Sequence, residues 1–313
     1  MRRRKGLPIH GWINLDKPVG PTSTQAIGRV RRITGAARVG HAGTLDPLAS
    51  GVLPIALGEA TKTVPFIQDA RKTYRFTVCW GEATTTDDRE GAVIAQSDNR
   101  PTISDIEAIV PRFTGLIWQA PPAFSAIKVA GERAYDLARA GTPTKLAERQ
   151  IDIHRLELVG SDDADHSVFE VETGKGAYVR SLARDMGAVL GCFGHVSALR
   201  RHVVGQFRVE NAFPLDFDAL PSDIAGLTEH VLPIETVLDD IPALALTADE
   251  AQRLKCGQAV GLFTHHHRDW LAELIAEGRD GGVVLALWQG KAIAMVRIDS
   301  AEAKPVRVFN YEP

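Results

Sequence analysis

The run Arg38-Val39-Gly40-His41-Ala42-Gly43-Thr44-Leu45-Asp46-Pro47-Leu48-Ala49-Ser50-Gly51 sets three glycines and a proline around a single aspartate. Glycine costs helix stability and proline removes a backbone donor, so the segment Gly40 to Gly51 reads as a long, specific loop rather than a regular element. Pro47 also biases Asp46 away from helical dihedrals. A carboxylate held this way suits a preorganised nucleophile or base. The same residues also fit an ordinary Asp-Pro turn or a ligand contact.

Periodicity marks the elements around this loop. Gly11 to Leu15 reads as a short strand, ended by the turn Asp16-Lys17-Pro18-Val19-Gly20-Pro21. Thr22, Ser23 or Thr24 is placed to cap a helix in which Ile27, Val30 and Ile33 recur at helical spacing, with Gly35 at its end. Gly51 to Leu57 looks like a buried strand or loop edge, and Thr73 to Trp80 has the alternation of a strand. Ala92–Ala95 reads as a short strand, and a helix is expected from near Thr102 or Ser104 to Arg112. Further on come a short helix at Glu132–Arg139 and strands at Gln150–Val159 and Phe169–Thr173. Tyr178–Leu190 reads as a helix with Val179, Leu182, Met186 and Val189 on one face. Prolines 214, 221 and 233 mark residues 209–241 as a connection. Beyond it, a short helix at Ala248–Leu254 and two strands around Gln289-Gly290-Lys291 suggest a compact β-rich appendage. His265-His266-His267 reads as an exposed turn rather than a metal site.

With 313 residues, 44% of them apolar, the chain can build a substantial core in two domains or in one with an appendage. Cys79, Cys192 and Cys256 are too scattered for a disulfide framework, and without a Cys-x-x-Cys pair a structural zinc is not expected. The basic start Met-Arg-Arg-Arg-Lys is not followed by the apolar segment of a signal peptide, and no 18-residue apolar run offers a membrane span. A soluble cytoplasmic protein is expected. Its net charge of −3 conceals an asymmetry. Residues 1–75 hold 13 Lys or Arg against 4 Asp or Glu, whereas residues 209–313 hold 8 against 17. Such a chain can present one phosphate-attracting face while staying mildly acidic, although two unrelated solvated faces give the same counts.

Carboxylates can attack carbon electrophiles and so divide a difficult reaction into two steps. To stay ionised in an apolar pocket, Asp46 needs a cation or hydrogen-bond donors. Arg180, following the turn Gly174-Lys175-Gly176-Ala177-Tyr178-Val179, carries a fork suited to a carboxylate, although sequence separation does not show that the two meet and an exposed arginine is the plainer reading. Tyr74 sits in the basic strand start Arg71-Lys72-Thr73-Tyr74-Arg75, where it can stack on a flipped base or serve as an ordinary strand aromatic. His41, Lys17 and Lys128 are each open to substrate contact or to a structural or solvated role.

Five separated segments, in order, resemble the motifs of the tRNA pseudouridine synthase B family. They are Leu15 to Ser23, Val39 to Gly51, Lys72-Thr73-Tyr74-Arg75, Pro122 to Lys128, and Gly174 to Arg180. The likeness covers about residues 10–205 well and the terminal segment less firmly. It implies a mixed α/β (α+β) catalytic domain around a central, largely antiparallel sheet, followed by a small β-rich PUA-like domain. The corresponding divisions are a basic tail at 1–9, a catalytic domain with its connecting segment at 10–241, and an RNA-binding domain at 242–313. The resemblance makes Asp46 the nucleophile, Tyr74 the base-stacking and proton-handling residue, and Arg180 the partner of Asp46. It makes Lys17, His41, Lys128 and Leu199 substrate-binding or cleft residues, with Lys17 and Pro18 supporting the catalytic loop. Two departures stand out: Thr85 where many relatives carry an acid, and Phe124 where tyrosine is frequent.

The implied activity is isomerisation of uridine 55 in the tRNA T loop, with no metal, nucleotide or redox cofactor. The expected partner is tRNA alone, bound by a monomer without an obligate protein partner. Two other readings are distinguishable by experiment. The same fold acting on another structured RNA, such as rRNA, would be revealed by mapping the product. A non-catalytic RNA-binding or RNA-folding protein would bind without forming pseudouridine.

Overall fold

The computed structural model describes residues 6–311 except 126, 130, 142–145, 162, 219, 220 and 280. Four strands and one helix build the part that matters for the aspartate loop: Gly11–Lys17 (β1), Ser23–Thr34 (α1), Val39–His41 (β2), Ala49–Leu57 (β3) and Lys72–Trp80 (β4). In β4 the even-numbered positions Lys72, Phe76, Val78 and Trp80 are buried, as strand alternation requires. Phe169 from the neighbouring strand stacks on Phe76 at 5.3 Å between ring centroids and meets Trp80 edge-on at 6.2 Å. In α1, Thr22 and Gln25 form a reciprocal capping box, and Gly35 closes the helix in the left-handed conformation.

These strands belong to a ten-stranded, largely antiparallel sheet. Its main path runs Phe213–Pro214, β1, β3, Gly194–Val204, β4, His166–Thr173, Arg149–Ser161 and Gly115–Gln119. Two pairings are parallel: β3 with Gly194–Val204, and β1 with Phe213–Pro214. The central strand Gly194–Val204 and the edge strand Gly115–Gln119 carry no simple apolar alternation and were not expected from the sequence. Arg200, Arg201 and His202 interrupt the first of these, and the two arginines find partners in Asp16 and in the Val52 and Gly43 carbonyls.

Several local expectations are corrected. The loop is shorter than Gly40–Gly51, because Val39–His41 and Ala49–Leu57 pair as strands on either side of it. The helix after the arginine turn runs Val179–Leu190 and buries Val179, Leu182, Ala183 and Met186, whereas Val189 is exposed. His265–His267 do not form an exposed turn. They open the helix His265–Ala276, capped by Thr264, and His267 is buried. Among the described residues no cluster of His, Cys, Asp or Glu is arranged to hold a metal.

The C-terminal segment forms a separate five-stranded sheet, in the order Ala243–Ala245, Val283–Trp288, Lys291–Asp299, Glu302–Val308, Val260–Gly261. Trp12, Val52 and Phe207 from the large sheet share one apolar cluster with Leu285, Met295 and Phe309 from the small one. Across this joint Glu59 receives Lys62 and the Asn310 amide, while Lys62 also donates to the Val308 carbonyl. No described helix is long and apolar enough to cross a membrane.

One backbone crossing fixes how β3 meets its parallel neighbour. Gly51 has φ +103°, and a Cβ there would lie 2.1 Å from the Arg201 carbonyl oxygen. Gly51→Ala should therefore cost about 3 kcal/mol of stability through combined strain and clash. Urea unfolding measures this, and a near-neutral result would contradict the crossing geometry.

Candidate active site

The aspartate loop is held from below. Ser23, in the first turn of α1, donates its hydroxyl to the Leu45 carbonyl at 2.9 Å and accepts the Leu45 amide at 2.8 Å. On the far side of Asp46, the Gly20 amide donates to the Pro47 carbonyl and the Ala49 amide to that of Asp46. The turn carrying Gly20 is itself closed by Lys17. This lysine is fully buried, and its ammonium donates to the carbonyls of Pro18 and Pro21, each at 2.8 Å. Burial, the largest influence, pushes the Lys17 amine down to about 8. Lys17 therefore sits beneath the loop rather than on a substrate-facing surface.

Arg180 meets the loop from the helix Val179–Leu190. The start of that helix is fixed by Gln119, whose side-chain amide accepts the Tyr178 amide hydrogen at 2.8 Å and donates to the Tyr178 carbonyl at 3.1 Å. Arg180 is 4% exposed overall, and its Nε lies 2.9 Å from Asp46 Oδ2. Nη1 donates to the Thr86 carbonyl and Nη2 to the Phe124 carbonyl, both at 2.9 Å. Asp88 Oδ2 stands 3.7 Å from Nε. The segment bearing Asp88 is tied to the central strand: Arg89 N donates to Val196 O, and Val196 N donates to Asp87 O. Because Arg180 uses the Phe124 backbone, phenylalanine in place of tyrosine leaves this contact intact. Thr85 is outside the guanidinium's contacts, and the acidic Asp88 is in reach.

Asp46, Tyr74, Arg180 and Leu199 line one cleft of about 330 Å³, within the ~300–1,000 Å³ range of ligand sites. Tyr74 pairs in register with Arg201, and Phe76 beneath it with Leu199. His41 lies on β2, half-buried, with its Nδ1 atom lacking a hydrogen-bond partner, and it is not among the cleft-lining residues. Its imidazole is held below its ordinary pKa, first by burial and then by Arg201. Lys128 lies in the two-residue strand Lys128–Val129, and its side chain is outside the described part of the structure.

Besides Lys72, whose basic strand start the sequence offers for phosphate contact, and Tyr178 of the arginine turn, the cleft contains Arg149 and Arg201, which sequence reasoning did not single out. The Arg149 guanidinium lies 5.2 Å from the centre of the Tyr178 ring. Arg201 donates to Val52 O at 2.7 Å and to Gly43 O at 2.9 Å, so it grips both arms of the aspartate loop. Consecutive arginines inside a strand were the available signal. Strand alternation sends one of the pair inward, and here Arg201 is buried while Arg200 pairs with Asp16 at 2.7 Å.

Chemically, the site offers one carboxylate fixed by a guanidinium, an aromatic wall, an apolar wall and a surplus of cations. Such a cleft suits a planar base attached to a phosphate backbone. Residues 31–179 match the family model of the TruB family pseudouridylate synthase N-terminal domain, so the fold is that of a pseudouridylate synthase. Residues 180–239 match that of the tRNA pseudouridylate synthase B C-terminal domain. The chain is 53% identical to tRNA pseudouridine synthase B of Bradyrhizobium diazoefficiens, over 98% of this chain and 88% of that one. It is 52% identical to the protein of the same name from Rhodospirillum rubrum, over 99% of both. In fold it resembles a chain of the Cbf5-Nop10-Gar1 complex, with TM-score 0.69 and 22% identity over 96% of this chain and 85% of that one. The chain belongs to the TruB family.

The Ser23 clamp yields a test of loop positioning. Ser23→Ala leaves a buried amide and carbonyl at Leu45 without their partner, which should cost about 1–3 kcal/mol of stability. Turnover should fall more than RNA affinity, because the lost contact fixes Asp46 rather than touching substrate. A variant with wild-type stability and turnover would rule out this role.

Proposed function

We propose that this chain is a tRNA pseudouridine synthase that converts uridine 55 of the T loop, with Asp46 as nucleophile. The observation that carries the reading is the 2.9 Å Asp46–Arg180 contact, placed in a cleft walled by Tyr74 and Leu199. Membership of the TruB family and near-full-length identity to proteins named tRNA pseudouridine synthase B support the substrate class.

A uridine stacked in a folded loop cannot reach Asp46, so the nucleotide is turned out of its stack at a cost of a few kcal/mol. Contact with the Tyr74 ring and the Leu199 side chain offsets that cost. Arg180 holds Asp46 in one direction, so the carboxylate enters the reaction already oriented. The N1–C1′ bond breaks with Asp46 participating as nucleophile. The freed base then rotates within the cleft, and C5 forms a new bond to C1′. Loss of the C5 proton, with Tyr74 as the adjacent proton-handling group, restores the aromatic ring. Atoms balance without an added reactant, since the product is an isomer of the substrate. Lys17 serves by supporting the loop, and His41 and Lys128 are assigned to contacts with the RNA outside the reacting base. The protein acts as a monomer on the tRNA T arm, in the cytoplasm.

Purified protein incubated with an unmodified tRNA transcript should place pseudouridine at position 55 and nowhere else. Product at another site, or in rRNA alone, would transfer the activity to a different RNA. Asp46→Ala should abolish product while retaining RNA binding, and full activity in that variant would refute the nucleophile assignment. Arg180→Lys keeps the charge but loses the fork, and single-turnover rates should drop on the order of 100-fold.

A further inference from the structure

The cleft is not electrically balanced. Arg180 is answered by Asp46 and Asp88. Just outside, Arg200 is answered by Asp16 and Arg71 by Glu172. Lys72 and Arg201 differ from all of these. Both line the cleft, they are 8% and 1% exposed, and among the described residues neither has a carboxylate within ion-pair distance.

Their hydrogen bonds are to backbone only. Lys72 Nζ donates to Gln68 O at 2.8 Å and Ala70 O at 2.6 Å, which leaves one of its three hydrogens uncommitted. Arg201 commits Nε and Nη2 to Val52 O and Gly43 O, and Nη1 has no partner among the described residues. The sheet places both beside Tyr74: Lys72 two residues earlier on the same face of β4, Arg201 directly opposite on the adjacent strand. Two desolvated cations near each other, hydrogen-bonded only to carbonyls and with Asp69, itself paired to Lys175, acting on Lys72 from beyond ion-pair distance, are held at a cost that an anion would relieve. Burial, followed by repulsion from Arg201, brings the Lys72 amine down to about 8.

We infer that Lys72 and Arg201 form a phosphodiester subsite beside Tyr74, which receives a backbone phosphate adjoining the flipped nucleotide. The inference rests on the reading of the chain as an RNA-acting enzyme and names two contacts that bring its substrate to Asp46. A ribose whose base lies against Tyr74 necessarily carries a phosphate on either side. An anion there neutralises the cation surplus and engages the free Lys72 hydrogen and Arg201 Nη1. Base flipping is then coupled to an ion pair that forms only in the flipped state.

The test uses the full-length protein and a short T-loop hairpin RNA. In this RNA one of the two linkages flanking the target uridine is replaced by an uncharged methylphosphonate. Wild-type protein should bind one of these two RNAs about tenfold more weakly than the native hairpin. Lys72→Met should bind the native hairpin weaker by a similar factor, and the two changes together should cost little more than either alone. The inference is overturned if neither neutral linkage changes wild-type affinity by as much as about twofold, or if the two losses multiply in full. The wild-type comparison decides the matter even if Lys72→Met fails to fold. Absence of pseudouridine in the native hairpin would count against the proposed function, whereas the linkage effect on binding judges the subsite separately.

Discussion

A carboxylate at the edge of a basic cleft is useful only if its orientation is settled before substrate arrives, and here the Arg180 guanidinium settles it. The group is almost fully buried, yet each of its nitrogens is satisfied: Nε by Asp46, Nη1 by Thr86 O and Nη2 by Phe124 O. Those partners come from three separate segments, so Arg180 registers the aspartate loop, the acidic turn and the Phe124 segment against one another. A lysine would satisfy the charge but not the three directions. Ser23, Gln119 and Arg201 extend the same arrangement. Ser23 and Arg201 fix the loop, and Gln119 fixes the start of the helix that delivers Arg180.

The parts legible in the sequence were those whose physics is local. Alternation in Lys72–Trp80, the Thr22 cap, the Gly35 stop and the Pro47 constraint on Asp46 each depend on neighbours a few residues away. The resemblance to ordered motifs linked Asp46, Tyr74, Arg180 and Leu199, and all four line one cleft. What stayed hidden depended on distant partners. Gly194–Val204 reads as a poor strand because its arginines look solvated, whereas Arg200 meets Asp16 and Arg201 meets the loop carbonyls. The sequence offers Thr22, Ser23 or Thr24 as the helix cap, because a hydroxyl at any of these positions can serve there. The cap is Thr22, which frees Ser23 to hold Leu45. The three histidines misled for the same reason. Polarity suggested a surface turn, while helix periodicity and the Thr264 cap bury His267.

The C-terminal segment is joined to the catalytic sheet by shared apolar packing, with the Glu59–Lys62 pair bonding to the Asn310 and Val308 backbone at the joint. Trp12 and Phe207, with ring centroids 5.7 Å apart, belong to the cluster that also takes in Met295 and Phe309. A joint built this way makes the small sheet a continuation of the large one's packing.

The Arg201 grip on Gly43 connects residues 158 positions apart in the chain. Synthesis at 5–20 residues per second leaves the aspartate loop without that partner for on the order of ten seconds after it is made. The glycines and Pro47 can hold its local shape in that interval, but its final orientation must wait for the central strand to insert between β3 and β4. The active site is therefore completed late on the ribosome. A nascent chain halted before Gly194 would carry the nucleophile without the strand and its arginine that set the loop in place.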